Sequence, residues 1–253
     1  MPEFLETNQT GRVLTVSMNR PEKRNALHAD LCRSLVRTIE EAERDPHVGA
    51  ILLRAHGSSF CAGMDLSEMP SENTAEIDQL HEQLFTLGAR VAKPIVAAVL
   101  GPALGGGTGL VANCHLVVAG EKATFGLTEI RLGLWPFLVY RAVSAAVGER
   151  RTMELSLTGW IFGPREAKEM GLIHEIADDA EGRAEEVAHN VAAWSPTAIR
   201  AGMSFAHEVR GLSWRDSGEI ARKVRGEVFQ SADLREGIRA FQEKRRPKWP
   251  SLE

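Results

Sequence analysis

A glycine-rich stretch between two apolar runs constrains the fold more than any other part of the chain. The runs Ile95–Leu100 and His115–Ala119 flank three consecutive glycines, Gly105–Gly107. Short apolar runs of this kind are typical of strands that are buried on both faces of a parallel sheet. The glycines therefore come where the chain leaves one buried strand, and a helix is predicted around Thr108–Ala112.

Strand-like and helical patterns alternate through the rest of the first half of the chain. Arg12–Met18 alternates and is rich in β-branched residues, which predicts a strand, while apolar spacing within His28–Arg44 predicts a helix. The apolar run Val48–Leu53 predicts another buried strand, and Ala55–Glu72 a loop that leads into a helix ending near Val91. This order predicts an α/β fold with a mainly parallel sheet.

After about Glu149 the pattern becomes mainly helical, with Leu172–Ile176 as a strand-like exception. The helices predicted there are Arg150–Leu157, Pro164–Met170, Ala180–Trp194, Pro196–Val209, Trp214–Phe229 and Asp233–Lys244. We therefore divide the chain into an α/β core of residues 1–190 and a helical C-terminal region of residues 191–253.

Composition and charge exclude several classes of protein. The chain has 253 residues, 43% of them hydrophobic, and a formal net charge of −4, which is typical of a soluble globular protein and argues against a nucleic-acid partner. It contains no apolar run of the roughly 18 residues that a transmembrane helix needs, and its polar N-terminus does not match a signal peptide. The three cysteines lack the spacing of a zinc or disulfide framework. We expect a cytoplasmic protein with no metal, no membrane partner and no nucleic-acid partner.

The three glycines could serve a nucleotide, a closely packed helix or a ligand oxygen. The dinucleotide fingerprint fails because its sixth position, counted from Gly105, is Leu110, and a phosphate loop fails because the stretch has no lysine. Close packing and a helix N-terminus with free N–H groups remain as alternatives. The stretch Ser58–Leu66, SSFCAGMDL, favours the N-terminus, because its small Ala62-Gly63 turn could supply a second N–H donor. Two such converging donors form an oxyanion hole.

Six motifs occur in the order and spacing of a known family. They are NRPEKRNAL (Asn19–Leu27), FCAGMDL (Phe60–Leu66), KPIVAAVLGPALGGGTGL (Lys93–Leu110), ATFGLTEIRLGL (Ala123–Leu134), LTGWIFGPREAKEMGLIHEI (Leu157–Ile176) and REGIRAFQEKRRPKW (Arg235–Trp249). With these motifs the sequence resembles the enoyl-CoA hydratase/isomerase, or crotonase, superfamily. The resemblance implies a crotonase-like spiral of ββα units with a helical C-terminal trimerisation region, and a homotrimer or homohexamer. It also implies an acyl-CoA thioester substrate and no cofactor beyond the CoA of the substrate.

The resemblance further implies a set of binding residues. The oxyanion donors correspond to the backbone N–H groups of Met64 and Gly106, which would hold the thioester oxygen. The residues implied to bind CoA or the acyl group are Arg24, Ala62, Gly63, Asp65, Leu66 and Trp135. For Arg24 the alternative is an exposed, solvated side chain, and for Trp135 it is plain core packing.

Two positions limit which of the family's reactions the chain can catalyse. Hydratases of the family use two glutamates, and the corresponding residues here are Gly109 and Glu129. Adding water needs one group that activates the water and one that handles the proton, so the glycine argues against ordinary hydration. One carboxylate is sufficient to move a double bond. Glu129 followed by LGLWPFL (Leu132–Leu138) is similar to Δ3,Δ2-enoyl-CoA isomerases that keep only the second glutamate.

Other interpretations stay open. The chain could be a hydratase that acts with Glu129 alone, or a catalytically weak member that binds CoA esters. A dehalogenase-like reaction is disfavoured because WPFLVY (Trp135–Tyr140) contains no aspartate. His81 could face the pocket, but we expect a histidine on the surface of its helix.

Overall fold

The computed structural model describes residues 4–68 and 74–252. Part of the predicted loop Ala55–Glu72 lies outside these residues. Within them, no helix is both long enough and apolar enough to span a membrane.

A central sheet confirms the predicted α/β class. Among the described residues its strands, in spatial order, are β1 (Leu5–Thr10), β2 (Val13–Met18), β3 (Ala50–Ala55), β4 (Ile95–Val99), β6 (Leu116–Ala119) and β8 (Glu175–Ile176). β1 and β2 are antiparallel, and every later pair is parallel. Two very short strands, β5 (Ala103–Leu104) and β7 (Phe125–Gly126), pair in a separate parallel sheet beside the glycine-rich stretch.

Helices follow most of the strands. Their bounds are α1 (Ala29–Arg44), α2 (Thr74–Phe85), α3 (Gly106–Ala112), α4 (Phe137–Val147), α5 (Glu149–Thr158), α6 (Pro164–Met170), α7 (Ala180–Ala192), α8 (Pro196–Glu208), α9 (Trp214–Phe229) and α10 (Ala232–Gln242). Most helices predicted from apolar spacing agree with these bounds to within a few residues, but α2 ends at Phe85, where the prediction had it continue to about Val91, and a separate 3-10 turn follows at Leu87–Ala89. The sequence patterns did not predict β1 and α4. β1 (LETNQT) is a polar edge strand with one buried side chain, and α4 (FLVYRAVSAAV) is apolar around most of its circumference.

Helix packing on the sheet depends on side-chain size. On one face, α7 presents alanines at a spacing of four residues, Ala180, Ala184, Ala188 and Ala192, to the apolar side chains of the sheet. Small side chains in a single row allow the helix to approach the strands closely. On the other face, larger buried side chains of α1, such as Leu35 and Ile39, belong to the main core. The sheet is therefore covered on both faces, as parallel sheets require.

The C-terminal helices are held mainly by polar contacts. The carboxylate of Asp233 accepts hydrogen bonds from the hydroxyls of Ser195 and Ser251 at 2.6 and 2.7 Å. The indole of Trp249 donates to the carbonyl of Ala193 at 2.7 Å. Neither α8 nor α9 buries a residue, and Trp214 at the start of α9 is 96% exposed. The division at residue 190 stays a prediction.

Candidate active site

A cavity of about 530 Å³ lies between α2, the turn before Asp65, the start of α3 and the segment from Thr128 to Val139. This volume is in the usual range for small-molecule sites. Residues predicted from the sequence to form the site and found on the cavity wall are Ala62, Gly63, Met64, Asp65, Leu66, Gly106, Glu129 and Trp135. The structure thus brings together residues that are separated by more than 60 positions in the chain.

The turn at Gly63-Met64 lines this cavity and is held by a bridge to Leu27. Leu27 pairs with Met64 in a parallel bridge, in which the N–H of Leu27 donates to Gly63 at 2.7 Å and the N–H of Asp65 donates to Leu27 at 3.0 Å. In such a pairing the N–H of the middle residue faces away from the bridge partner. The N–H of Met64 therefore faces away from Leu27, and Met64 is one of the residues that line the cavity.

The second turn, at Gly105-Gly106, lies against the first. Gly105 has a positive φ of 54° and precedes α3, so Gly106 contributes one of the N–H groups that a helix leaves without an intrahelical acceptor. A Cβ on Gly63, where φ is 96°, would lie 2.9 Å from the carbonyl oxygen of Leu104 and 3.5 Å from the nitrogen of Gly106. Within residues 4–68 and 74–252, neither Met64 nor Gly106 donates its N–H to a backbone carbonyl. The two turns therefore lie side by side, and the oxyanion hole predicted from Met64 and Gly106 stays a prediction.

Glu129 begins a 3-10 turn that follows β7. The hydroxyl of Thr108 fixes β7, the strand before Glu129, because it donates to the Ala103 carbonyl at 2.7 Å and accepts the N–H of Gly126 at 3.0 Å. Oε1 of Glu129 lies 3.2 Å from the position that a Cβ on Gly105 would occupy. Oε2 is buried and has no hydrogen-bond partner among the described residues. Burial raises the pKa of this carboxyl above its ordinary value, which is the condition of a group prepared to accept a proton.

The space beside residue 109 is filled. A Cβ on Gly109 would lie 2.5 Å from Cγ1 of Val139 in α4 and 3.2 Å from Cδ1 of Phe85 in α2. Real Cβ atoms do not make carbon contacts as short as the first of these. A side chain at 109 would therefore require α4 to move, and Gly109 is a position of close helix packing.

Asp65 carries the second buried carboxylate of the cavity wall. It forms an ion pair with Arg20 at 2.5 Å and accepts the hydroxyl of Ser67 at 2.7 Å. Burial by itself raises the pKa of Asp65, but the hydrogen bonds from Ser67 and Arg20 outweigh it and lower the pKa to about 2. Arg20 was not singled out from the sequence, where its one signal was its place in the motif NRPEKRNAL.

Arg24 is an exposed residue that does not line the cavity in the described part of the chain. Its backbone, with a positive φ of 52°, accepts the N–H of Ala62 at 3.0 Å and so supports the turn that leads to Met64. The binding role predicted for the Arg24 side chain stays a prediction.

The expectation for His81 was wrong. Its side chain is buried, with 7% of the residue exposed, and it lines the cavity beside Phe85, whose ring centroid is 6.0 Å away. The periodicity of α2 could not reveal this, because burial depends on neighbouring elements, and one of those packed against α2 is α4, more than 50 residues later. Trp135 is half-buried on the cavity wall, and its ring stacks at 6.3 Å on Tyr140.

The model of the enoyl-CoA hydratase/isomerase family matches residues 8–251. The chain belongs to this family. A Thermus thermophilus protein that carries an enoyl-CoA hydratase name is 39% identical over 95% of this chain and 98% of its own length. An enoyl-CoA hydratase of Mycobacterium tuberculosis is 35% identical over 94% of this chain and 92% of its own.

Solved structures agree with the family assignment. An enoyl-CoA hydratase from Mycobacterium smegmatis superimposes with a TM-score of 0.92 at 29% identity, covering 97% of this chain and 98% of that one. The crotonase-like fold predicted from the motifs is therefore confirmed. The protein is an acyl-CoA enzyme of the hydratase/isomerase family.

Proposed function

We propose that the protein shifts the double bond of a 3-enoyl-CoA to the 2-position. One observation carries the proposal: Glu129 presents a buried carboxyl oxygen without a partner among the described residues, next to the two free N–H groups of the turns. Position 109, where family hydratases have their other glutamate, has neither a side chain nor room for one.

The chemistry needs one base and one oxyanion hole. The Glu129 carboxylate takes a proton from C2, between the thioester and the alkene, and the C–H electrons move into a dienolate. The N–H groups of Met64 and Gly106 stabilise the negative charge on the thioester oxygen. Reprotonation at C4 moves the double bond into conjugation with the thioester. Atoms and charge balance without water or an external oxidant.

Hydration of a 2-enoyl-CoA is the second candidate, and the names of the relatives favour it. Water addition needs a group within hydrogen-bond reach of the water as well as a proton donor. A hydratase of this sequence would have to use Glu129 in both roles. A CoA-ester-binding protein with little turnover is the remaining alternative, and the raised pKa of Glu129 argues against it because such shifts concentrate at catalytic sites.

The remaining expectations belong to the same proposal. We infer a cytoplasmic enzyme that assembles as a homotrimer or homohexamer and uses no metal or added cofactor. The exposed aromatic side chains of α9 and α10, with Trp214 96% and Phe241 85% exposed, support assembly. CoA would lie along the segment from Ala62 to Leu66. Light scattering at micromolar concentration tests the assembly.

A pair of substrates tests the reaction. Incubation with 3-enoyl-CoA should increase the absorbance of the conjugated enoyl thioester, while 2-enoyl-CoA should keep its absorbance and its mass. Loss of conjugation in 2-enoyl-CoA, with a mass increase of one water, would instead support hydration. Binding of both esters without change to either would support the binding protein.

A further inference from the structure

We propose that His81 is a second proton-transfer residue, which delivers a proton to C4 of the acyl chain while Glu129 removes one from C2. The inference rests on the proposed isomerisation and adds a catalytic residue to it.

His81 is a buried residue that lines the cavity. It lies on α2 and is 7% exposed, although the helix is otherwise largely polar (TAEIDQLHEQLF). The other ionisable side chains on the described cavity wall are the carboxyl groups of Asp65, Asp78 and Glu129. His81 is thus the one group of this described wall that can bring a positively charged proton donor to the substrate.

The described cavity wall runs from Glu129 to His81 by way of Gly105, Gly106 and Phe85. Oε1 of Glu129 lies 3.2 Å from the position that a Cβ on Gly105 would occupy, and Cζ of Phe85 lies 3.2 Å from the position that a Cβ on Gly106 would occupy. The ring of His81 follows, 6.0 Å from the ring of Phe85. A thioester oxygen bound at Gly106 would put C2 on the Glu129 side of the cavity, and an acyl chain that followed this wall would pass Phe85 before His81.

Carboxylates are the charged groups that share the described cavity wall with the imidazole. Asp78 lies three residues before His81 on the same helix and faces the same cavity, a spacing at which side chains are neighbours. Asp65 is engaged by Arg20. Of the elements packed against α2, α1 carries Arg33, paired with Glu76, and α4 carries Arg141, paired with Glu82. These ion pairs occupy the nearby arginines and leave carboxylates as the charged groups of the cavity.

The protons gained and lost by the enzyme and the substrate balance over one turnover. Glu129 gains the C2 proton, the dienolate electrons form a new C4–H bond with the proton of the imidazolium, and the double bond moves to C2–C3. The enzyme is left with a neutral carboxyl and a neutral imidazole. Transfer of one proton from Glu129 to His81 through water restores the starting state.

The fate of a deuterium label at C2 tests the role proposed for His81. With 3-enoyl-CoA carrying deuterium at C2, the wild-type enzyme should place a solvent proton at C4. His81→Gln should reduce kcat by about 10²-fold or more, because one proton-transfer group is lost. In that variant deuterium should appear at C4, since Glu129 alone remains to return what it removed. His189→Gln is the matched control, because His189 lies on helix α7 away from the cavity.

Two further measurements keep the test independent of folding and of turnover. His81→Phe retains an aromatic ring against Phe85, and its thermal melting and far-ultraviolet circular dichroism should match those of the wild type while the deuterium still appears at C4. In protein labelled with ¹⁵N-histidine, the imidazole resonance that is missing in His81→Gln should shift when saturated hexanoyl-CoA binds.

Equal deuterium transfer to C4 in the wild type and in His81→Gln would overturn the role of His81, and so would an imidazole signal that hexanoyl-CoA does not move. A wild-type enzyme that leaves 3-enoyl-CoA unchanged would overturn the proposed isomerisation instead. The histidine spectrum would then still decide whether His81 contacts the acyl chain.

Discussion

The two walls of the cavity each carry a buried carboxyl group, and the surroundings of the two groups are opposite. Asp65, on the wall that follows β3, is held by Arg20 and Ser67, which keep its pKa at about 2. Glu129, on the wall that follows β7, has a buried oxygen without a hydrogen-bond partner in the described part of the chain, and its pKa is raised. The same functional group is therefore kept charged on one wall and made basic on the other.

The difference agrees with a structural role for Asp65 and with the chemical role proposed for Glu129. A carboxylate whose hydrogen bonds are all supplied by the protein stabilises a turn, here the one that presents Met64. A carboxyl group without such partners is available to a substrate proton. Two titratable groups whose environments move their pKa values apart are a recognised sign of divided roles in an active site.

Removal of the basic carboxyl should have the largest effect. Glu129→Gln preserves the shape of the side chain but cannot take a proton, so we expect isomerisation of 3-enoyl-CoA to fall by about 10²–10⁴-fold. Binding of a saturated acyl-CoA, measured by calorimetry, should stay nearly unchanged. Glu121→Gln, at an exposed turn residue, is the control and should keep full activity. Unchanged turnover in Glu129→Gln would end the comparison, because neither carboxyl would then be the base.

Loss of one oxyanion donor should have the next largest effect. Gly106→Pro removes the N–H and should lower kcat by about 10²–10³-fold. Gly106→Ala is matched to it, because both variants add a Cβ, 3.0 Å from Cδ1 of Leu27 and 3.2 Å from Cζ of Phe85, but alanine keeps the N–H. We expect the alanine variant to lose much less activity. Similar losses in two folded variants would mean that crowding, and not the donor, explains the effect.

Asp65 should matter for stability more than for chemistry. Asp65→Asn breaks the ion pair with Arg20, and loss of a charge-assisted hydrogen bond should lower the free energy of unfolding by about 1.5–3 kcal/mol. Urea denaturation measures this change. Asp30→Asn removes the exposed pair with Arg33 and should cost less than about 1 kcal/mol. If the two variants were equally stable, Asp65 would not have the structural role given to it here.

The pH dependence of stability should have opposite signs on the two walls. The pKa of Asp65 is lower in the folded than in the unfolded chain, so its stabilisation is present above its ordinary pKa of 3.8 and is lost as the pH falls toward 2. The folded pKa of Glu129 is raised above 4.5, so its contribution to the free energy of unfolding is most favourable below that pH and declines as the pH rises through the folded pKa.

The difference in unfolding free energy between wild type and Asp65→Asn should therefore shrink on acidification. Glu129→Gln should become more stable than the wild type as the pH rises. Parallel pH profiles for the two variants would contradict the comparison.

Much of the fold was predictable because local spacing encodes it. The predicted helix His28–Arg44 and the structural α1 differ by one residue at the start, and the apolar run Ile95–Leu100 became β4. β1 was missed because five of its six residues are not buried, so no alternation marks it. α4 was missed because apolar residues lie on most of its faces, which hides a helical period.

The sequence by itself determined the family, the positions of the two turns and the presence of one glutamate in place of two, because these depend on motifs and on residue identity. The tertiary structure decided what surrounds those residues. Val139 fills the space beside Gly109, Arg20 meets Asp65 from 45 positions away, and α4 packs against the helix that carries His81. These contacts join elements that are distant in the chain, and pKa values follow from burial and from charged neighbours. A residue's chemistry could thus be named from its type, but whether it is paired, crowded or available was settled only by the packing of distant segments.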